Sequence, residues 1–228
     1  MNESSPAPDG NVRGFSFALQ RRDDGALGLR AAHHPDYGLV VADWCGAELQ
    51  RRIAGGRRQA LARACGLQRK PESHILDATG GLGRDAYTLA ALGATVVLCE
   101  RQPLIAALLQ DARQRALASP TQAPAAQRIT IHEAEALTLL RSGAHWDAVY
   151  LDPMYPEDGK TALPGKEMQL FRELTGGDAD ADALLDAALR AAPRVAVKRP
   201  SKAPWLAARE PAASLPGSQL RFDLYLAP

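Results

Sequence analysis

Short apolar runs alternate with helix-like patterns along most of the chain, and residues 75–100 show this alternation most clearly. An apolar run ends at Asp77, a glycine-rich turn follows, and residues 84–92 have the spacing of a helix. Residues 95–99 then form a β-branched run that stops before Glu100. Strand, turn, helix and strand in this order predict half of a nucleotide-binding βαβ unit.

The turn and the acid that follows it suit a ligand with an adenosine group. Gly81, Gly83 and Ala86 fit the pattern G-x-G-x-x-A, in which glycines admit the ligand and the next helix offers free N–H groups. Glu100 lies 23 residues after Asp77, where an acid is expected to accept hydrogen bonds from ribose hydroxyls. We assign Asp77 to the same site. The pattern leaves open whether the ligand is a nicotinamide cofactor or S-adenosylmethionine.

The alternation continues to the end of the chain. Strands are predicted at residues 128–131, 146–151, 194–198 and 219–226, and helices at residues 103–117, 133–140, 166–174 and 180–191. Pro216-Gly217 can turn a hairpin into the last strand. This order predicts an α/β fold with a doubly wound, mostly parallel, Rossmann-like sheet that ends in an antiparallel strand. Residues 71–228 would form this domain.

The first 43 residues have a different pattern. Residues 1–12 are polar and are expected to be disordered. Residues 15–20 and 27–30 alternate around a turn at residues 23–25, and residues 38–43 are a third candidate strand. We therefore predict a small N-terminal β appendage within residues 1–43.

Residues 44–70 are predicted to form a basic helical segment between the β appendage and the α/β domain. The only acid in it is Glu48, against seven cations: Arg51, Arg52, Arg57, Arg58, Arg63, Arg69 and Lys70. A run of charge is commonly a solvated helix face, but this imbalance also suits RNA phosphates. Both interpretations stay open, and Arg51, Arg52, Arg57 and Arg58 are the candidate phosphate contacts.

Composition narrows the class of protein. The 228 residues are 46% hydrophobic with a net charge of +1, so nucleic-acid binding would need a local basic patch. Cys45, Cys65 and Cys99 lack metal-type spacing and suggest reduced thiols of a cytoplasmic protein. His33 and His34 should point apart in an extended chain, so no metal site is predicted. No secretion signal and no 18-residue apolar run is visible, so neither export nor a membrane is expected.

A second chemical motif follows the strand predicted at residues 146–151. Asp152, Pro153 and Tyr155 should lie beside the glycine turn, because ligands bind beyond the carboxyl ends of parallel strands. The Asp152 carboxylate and the Pro153 carbonyl can hold an exocyclic NH₂ group, and Tyr155 can stack on a flipped-out base. Asp-Pro also makes simple turns after strands. Behind an adenosine site, the chemical interpretation is favoured.

The D-P-x-Y element is similar to the D/N-P-P-Y motif of amino-group methyltransferases that use S-adenosylmethionine. The wider pattern resembles the ribosomal RNA small-subunit methyltransferase J family over most of residues 44–225. The matching runs are RR-x-x-GG-R (51–57), ACG (64–66), DATGGLGRDA (77–86), ER-P-ALL (within 100–109), YLDPMYP (150–156), KEM (166–168), DADALL (180–185), VKRP (197–200) and RFD-Y (221–225). The N-terminal forty residues match least.

This resemblance implies methyl transfer from S-adenosylmethionine to N2 of a guanine in 16S ribosomal RNA, either as naked RNA or within the small ribosomal subunit. The family's cofactor contacts would fall on five residues: Arg84, Asp85, Glu100, Arg101 and Asp152. A further pair would fall on Glu135 and Ala136, where the family usually has small hydroxyl residues, and this departure leaves that contact open.

Lys198 and Arg199, at the end of the fifth predicted strand, would hold phosphate or the base carbonyl at the same sheet edge. Two other functions remain possible from sequence. A nicotinamide-dependent dehydrogenase would explain residues 81–86 and Glu100 but leaves Asp152 to Tyr155 without a role. A non-catalytic RNA-binding module would use only the basic segment.

Overall fold

Two β-sheets organise the part of the chain that the structure, a computed structural model, describes: residues 10–12, 14–154, 165–178, 180–217 and 219–227. The strands are β1 (Gly10–Val12), β2 (Phe15–Arg21), β3 (Leu27–Ala31), β4 (Val40–Val41), β5 (His74–Asp77), β6 (Thr95–Glu100), β7 (Ile129–Glu133), β8 (Ala148–Leu151), β9 (Arg194–Pro200), β10 (Ala213–Pro216) and β11 (Leu220–Leu226). The helices are α1 (Ala47–Ala54), α2 (Ala60–Ala64), α3 (Arg84–Ala91), α4 (Pro103–Leu117), α5 (Ala123–Ala126), α6 (Ala136–Leu140), α7 (Lys166–Thr175) and α8 (Ala181–Ala191).

The main sheet has seven strands in the order β10-β11-β9-β8-β5-β6-β7. Strands β5 to β9 are parallel, whereas β11 pairs antiparallel with β9, and β10 with β11. The predicted doubly wound, mostly parallel sheet with an antiparallel end is confirmed. The hairpin turn at Pro216-Gly217 also forms, because the Gly217 amide donates to the Leu220 carbonyl at 2.8 Å. The edge strand β10 was not predicted.

Neighbouring residues of the central strands pack into two different cores. On β5, Ile75 packs with α2, α3 and α4, while Leu76 packs with α6 and α8. Successive side chains of a strand point to opposite faces, so a strand covered on both sides must be apolar throughout. Both residues are fully buried. This is why the short apolar runs of the sequence become inner strands.

The N-terminal sheet is antiparallel, in the order β1-β2-β3-β4, which agrees with the predicted β appendage. The expectation of disorder over residues 1–12 is wrong for Gly10–Val12, which pairs with β2; residues 1–9 lie outside the described residues. Phe17 and Leu29 join the same hydrophobic core as α3 and α4. The appendage therefore packs onto the main domain and shares its core.

The prediction that His33 and His34 point apart is also wrong. The chain turns after β3, with the His34 amide donating to the Ala31 carbonyl, and does not stay extended. Both imidazoles consequently reach one carboxylate: His33 Nε2 lies 2.8 Å and His34 Nε2 2.9 Å from the two oxygens of Glu173. This cluster links the N-terminal sheet to α7, and its ligand atoms are close enough together to hold a metal ion.

The basic segment folds as α1, a 3-10 turn at Gly56–Arg58, and α2, and packs against α3 and β11. Gly66 follows α2 with a φ of +83°, as expected for a residue just past a helix end. Trp44, at the start of the segment, is fully buried and donates its indole N–H to the Leu82 carbonyl at 2.9 Å. The basic segment is therefore bonded through Trp44 to the glycine turn.

Candidate active site

A pocket of about 340 Å³ opens at the carboxyl ends of β5, β6 and β8. Strand β5 lies between β6 and β8, so the connections on its two sides leave in opposite directions and a cleft forms between them. The glycine turn forms the floor of this cleft. The residues that end β6 and follow β8 form two of its walls.

The turn between β5 and α3 can only be made by glycine at two positions. A Cβ atom on Gly80 would lie 2.9 Å from the Cys99 carbonyl oxygen, and one on Gly83 would lie 2.7 Å from the Trp44 ring. Gly83 also has a φ of +69°, which disfavours other residues. The backbone therefore passes close to β6 and leaves the space above the turn open for a ligand.

Glu100 is fixed by two backbone amides at the end of β6. Its Oε2 accepts from the Gly81 N–H at 3.0 Å, and its Oε1 accepts from the Gln102 N–H at 2.8 Å. Only 8% of the residue is exposed. Burial raises the pKa of Glu100 to about 6, although the two amides oppose the shift. Each oxygen keeps a lone pair, so the carboxylate can accept from a pair of ribose hydroxyls.

Asp85, in the first turn of α3, is the hub of a buried ionic cluster. Its Oδ1 pairs with Arg52 of α1, and its Oδ2 accepts from the Tyr150 hydroxyl at 2.6 Å and from Lys198 Nζ at 3.2 Å. Burial acts to raise the pKa of Asp85, but Lys198 and Arg52 outweigh it and the pKa is lowered. For nearby Asp77, burial and the Asp85 charge raise the pKa well above its usual value.

Lys198 connects this cluster to Asp152. Its Nζ lies 2.7 Å from Asp152 Oδ2, and the Asp152 amide donates to Thr79 Oγ1 at 2.6 Å. Burial acts to lower the pKa of Lys198, but Asp152 and Asp85 outweigh it and raise it. The Asp152 side chain is 37% exposed. One of its oxygens is thus held by Lys198 while the carboxylate still reaches the pocket.

A second ionic group closes the opposite wall. Arg101 Nη2 donates to Asp178 Oδ1 at 2.7 Å, and Nη1 donates to Asp180 Oδ1 at 3.1 Å. The other oxygen of Asp178 accepts from the Met154 amide at 2.6 Å. Arg101, directly after β6, and Met154, two positions after Asp152, are therefore both bonded to Asp178 in the loop before α8. Glu135 stands 3.8 Å from Arg101 and is mostly exposed.

The structure brings most of the predicted site residues into one pocket. Its lining includes Arg52, Asp77, Gly81, Gly83, Arg84, Asp85, Glu100, Arg101, Glu135, Ala136, Asp152 and Lys198. Arg84 also forms a two-bond pair with Glu167, at 2.9 and 3.0 Å. Pro153 is buried directly after Asp152, whereas Tyr155 lies outside the described residues.

Four predicted substrate contacts lie away from the pocket lining. Arg51 and Arg58 are exposed on the basic segment, and Arg57 Nε donates to the Leu92 carbonyl at 2.9 Å, at the end of α3. Arg199 is buried, and its Nη2 donates to the Pro204 carbonyl at 2.7 Å. Neighbouring Lys198 and Arg199 leave β9 on opposite faces, so only Lys198 enters the pocket.

Sequence reasoning missed several residues that position the site. Thr79 and Tyr150 fix Asp152 and Asp85, yet a threonine in a turn and a tyrosine in a strand carry no special signal. Asp178 and Asp180 carry no special signal either, because an acid just before a helix is ordinarily a cap. Asp180 does precede α8, but no cap bond from its side chain forms, because its carboxylate accepts from Arg101.

Solved structures share this fold. A SAM-dependent methyltransferase from Neisseria gonorrhoeae aligns with a TM-score of 0.72 and 33% identity, covering 98% of this chain and 86% of that one. A T. thermophilus 16S rRNA N2 methyltransferase, in complex with AdoMet and guanosine, aligns with a TM-score of 0.55 and 15% identity, covering 97% of this chain and 50% of that one. The second similarity establishes the fold alone. The first similarity places the chain in the class of Rossmann-like methyltransferases.

Sequence comparison is more specific. The family described as "Putative SAM-dependent methyltransferase" matches residues 12–227. Ribosomal RNA small subunit methyltransferase J of Pseudomonas paraeruginosa is 47% identical over 215 residues, covering 92% of this chain and 82% of the relative. The same-named protein of Pseudoalteromonas atlantica is 43% identical over 231 residues, covering 96% and 88%. The chain belongs to this family of methyltransferases.

Membership decides between the two cofactors that the glycine turn left open. The enzyme uses S-adenosylmethionine, and neither the dehydrogenase nor a purely RNA-binding module is supported. The pocket fits this cofactor, because a side-chain-free turn faces a carboxylate with free acceptor positions. Among the described residues, no helix combines the length and apolar character needed to cross a bilayer.

Cofactor affinity should depend on the charge of Glu100. Because the pKa of this acid is raised to about 6, lowering the pH from 7 to 5 protonates it and removes the acceptor that ribose hydroxyls need. The Kd for S-adenosylmethionine should therefore rise as the pH falls through this range. Glu100→Ala should lose about 1.5–3 kcal/mol of binding at pH 7.5.

Titration calorimetry at several pH values measures this. The control is Glu100→Gln, which keeps the size of the side chain and does not titrate, so its affinity should vary less with pH than that of the parent. Equal pH dependence in the parent and the Gln variant would remove Glu100 from the cofactor site.

Proposed function

We propose that this enzyme transfers a methyl group from S-adenosylmethionine to the N2 amine of a guanine in small-subunit ribosomal RNA. The observation that carries the proposal is the position of Asp152: it follows β8, lines the cofactor pocket, and is fixed by Lys198 and Thr79. The names of relatives that share nearly half of its residues support the RNA substrate. The cytoplasm, where ribosomal subunits are assembled, is the proposed location.

The cofactor is proposed to lie along the glycine turn, with its ribose at Glu100. Arg84, Asp85, Arg101, Glu135 and Ala136 line the remainder of the same cleft and are the proposed further contacts. When bound, S-adenosylmethionine supplies an electrophilic methyl group on a sulfonium.

Asp152 has to orient a poor nucleophile. The lone pair of the guanine N2 amine is delocalised into the ring, so two acceptors that hold its hydrogens can turn that lone pair toward the methyl carbon. The Asp152 carboxylate and the Pro153 carbonyl are the proposed acceptors, and Tyr155 is proposed to stack on the base. As the N–C bond forms and the C–S bond breaks, one amine proton leaves to Asp152 or to water.

Lys198 acts on Asp152. Burial and the Asp85 charge raise the pKa of Asp152, and uptake of a proton would remove an acceptor. The Lys198 ammonium lies 2.7 Å from Asp152 and 3.2 Å from Asp85 and opposes this shift. We therefore assign Lys198 a positioning role in place of a direct grip on phosphate.

The exposed arginines of the basic segment are the proposed phosphate contacts. Arg51 and Arg58 are exposed, whereas Arg52 pairs with Asp85 and Arg57 with a helix-end carbonyl. Arg51 and Arg58 are therefore the first candidates, because Arg57, although also exposed, is bonded to the end of α3.

Replacing Asp152 should abolish most turnover. With saturating S-adenosylmethionine, Asp152→Ala should lower kcat by about 10² or more, the effect of losing one positioned polar group, and Asp152→Asn should retain part of the activity. The substrate is 16S rRNA from a strain that lacks the enzyme, and mass spectrometry of its digested nucleosides identifies the product.

The expected product is N2-methylguanosine. Asp186→Ala, which removes an exposed acid from α8, serves as the control and should match the parent. Methylation at another atom would refute the assignment to N2, and a parent rate for Asp152→Ala would refute the role of the motif.

The outward-facing arginines should control salt dependence. The double variant Arg51→Ala/Arg58→Ala should bind this rRNA more weakly and lower the slope of log K against log salt by about 0.7–0.9 for each lost phosphate contact. Filter binding at four salt concentrations measures the slope.

The matched control is Arg141→Ala/Arg190→Ala, which removes two exposed arginines at the ends of α6 and α8, helices that pack on the other face of the sheet from the basic segment. Equal slopes in both double variants would show that the basic segment is an ordinary solvated surface.

A further inference from the structure

The chain has three tryptophans, and one of them is in an unusual position. Trp44 and Trp146 are buried, whereas 43% of Trp205 is exposed. A single exposed apolar side chain is common on protein surfaces and needs no function by itself. Trp205, however, follows the carboxyl end of β9, which is the edge of the sheet that carries the active site.

The loop that carries Trp205 is held by two arginines. Arg221 Nη1 donates to the carbonyls of Pro200 and Ser201, at 3.1 and 2.7 Å, and its Nη2 donates to that of Ala203 at 2.8 Å. Arg199 Nη2 donates to the next carbonyl, that of Pro204, at 2.7 Å. Four carbonyls in the five residues before Trp205 thus accept hydrogen bonds from arginine.

Arg221 is itself fixed by a buried acid. Asp223 is fully buried, and its two oxygens accept from Arg221 Nε and Nη2 at 2.8 and 2.9 Å. A two-bond pair of this kind fixes the guanidinium plane as well as its position. The buried position of Arg199, which makes it unsuitable for contacting RNA directly, therefore has a structural purpose in the same loop.

The residues after Trp205 anchor the loop beside the pocket. Leu206 is buried in the core that includes α8, and the Ala207 amide donates to Asp182 Oδ1 at 2.9 Å. Asp182 is in the first turn of α8, two residues after Asp180, which lines the pocket. The loop of Trp205 is therefore bonded to the start of α8, the helix that directly follows the pocket-lining Asp180.

The local charge favours an anionic partner. Lys202 is exposed three positions before the indole, and residues 200–206 contain no acid. Arg209, further along the chain, pairs with Asp186 at 3.5 Å. A flat aromatic surface beside a cation is the combination that binds single-stranded nucleic acid, because any base can stack on it while the backbone phosphate lies near the charge. A rigid loop also loses little entropy on binding.

We propose that Trp205 is a stacking platform for an unpaired rRNA base that neighbours the target guanine. This inference rests on the proposed function, because it takes the substrate to be RNA entering at the active-site edge. Trp205 makes no contact with the reacting atoms and affects the reaction through substrate binding. Its loss should therefore raise KM for rRNA while kcat and cofactor affinity stay unchanged.

Three substitutions of Trp205 distinguish stacking on a flat ring from a general apolar contact. With 16S rRNA from a strain that lacks the enzyme, Trp205→Ala should raise KM about 5- to 100-fold, the range measured for loss of one stacked base. Trp205→Phe keeps an aromatic face and should stay within about threefold of the parent, whereas Trp205→Leu, apolar without a flat ring, should behave like Ala. An unchanged melting temperature and an unchanged Kd for S-adenosylmethionine show that each variant is folded.

The parent protein offers a second measurement. Because the other two tryptophans are buried, rRNA should quench a component of the fluorescence that Trp205→Phe lacks. Parent-like KM in Trp205→Ala, or in Trp205→Leu, would overturn the platform while leaving the proposed function standing, and the Leu result would indicate an apolar contact that needs no flat ring. A parent enzyme that cannot methylate rRNA would contradict the proposed function, and the inference with it.

Discussion

The position of β5 between β6 and β8 is the constraint on which the site depends. Parallel pairing aligns Ile75 with Val96 on one side and with Ala148 on the other, so the three strands end at the same edge. Asp77 and Glu100 end two of these strands, and Asp152 follows the third. The crossover helices leave on opposite faces of the sheet, which opens the cleft between residues that are far apart in sequence.

Charge compensation is the second requirement of this cleft. Two carboxylates, those of Asp85 and Asp152, share Lys198, and Arg52 completes the group with a contribution from the basic segment. Removing one member of such a buried group leaves a charge without a partner. The resulting loss of folding free energy is far larger than the net contribution of the intact group. The inward residues of the basic segment, Arg52 and Trp44, therefore support the site, and its outward arginines are the proposed contacts to RNA.

Local patterns in the sequence predicted the fold and much of the site. Apolar runs became strands, and the residues predicted to bind the cofactor from the glycine turn and Glu100 line one pocket. What could not be predicted depends on contacts between distant residues. No local signal shows that Arg52 meets Asp85, that a turn brings His33 and His34 to Glu173, or that Arg101 meets Asp178. The two-residue period of a strand also predicts that adjacent residues such as Lys198 and Arg199 point to opposite faces. They therefore cannot face the same site.

We infer that Asp152 presents the guanine amine to a methyl group held above the glycine turn. A crystal structure with S-adenosylmethionine and guanosine tests it most directly. We expect the ribose hydroxyls to donate to Glu100, and the N2 amine to lie within hydrogen-bond distance of the Asp152 carboxylate and the Pro153 carbonyl. The N2 atom should lie about 3 Å from the methyl carbon. A guanine bound with N2 directed away from Asp152, or a ribose that does not contact Glu100, would contradict it.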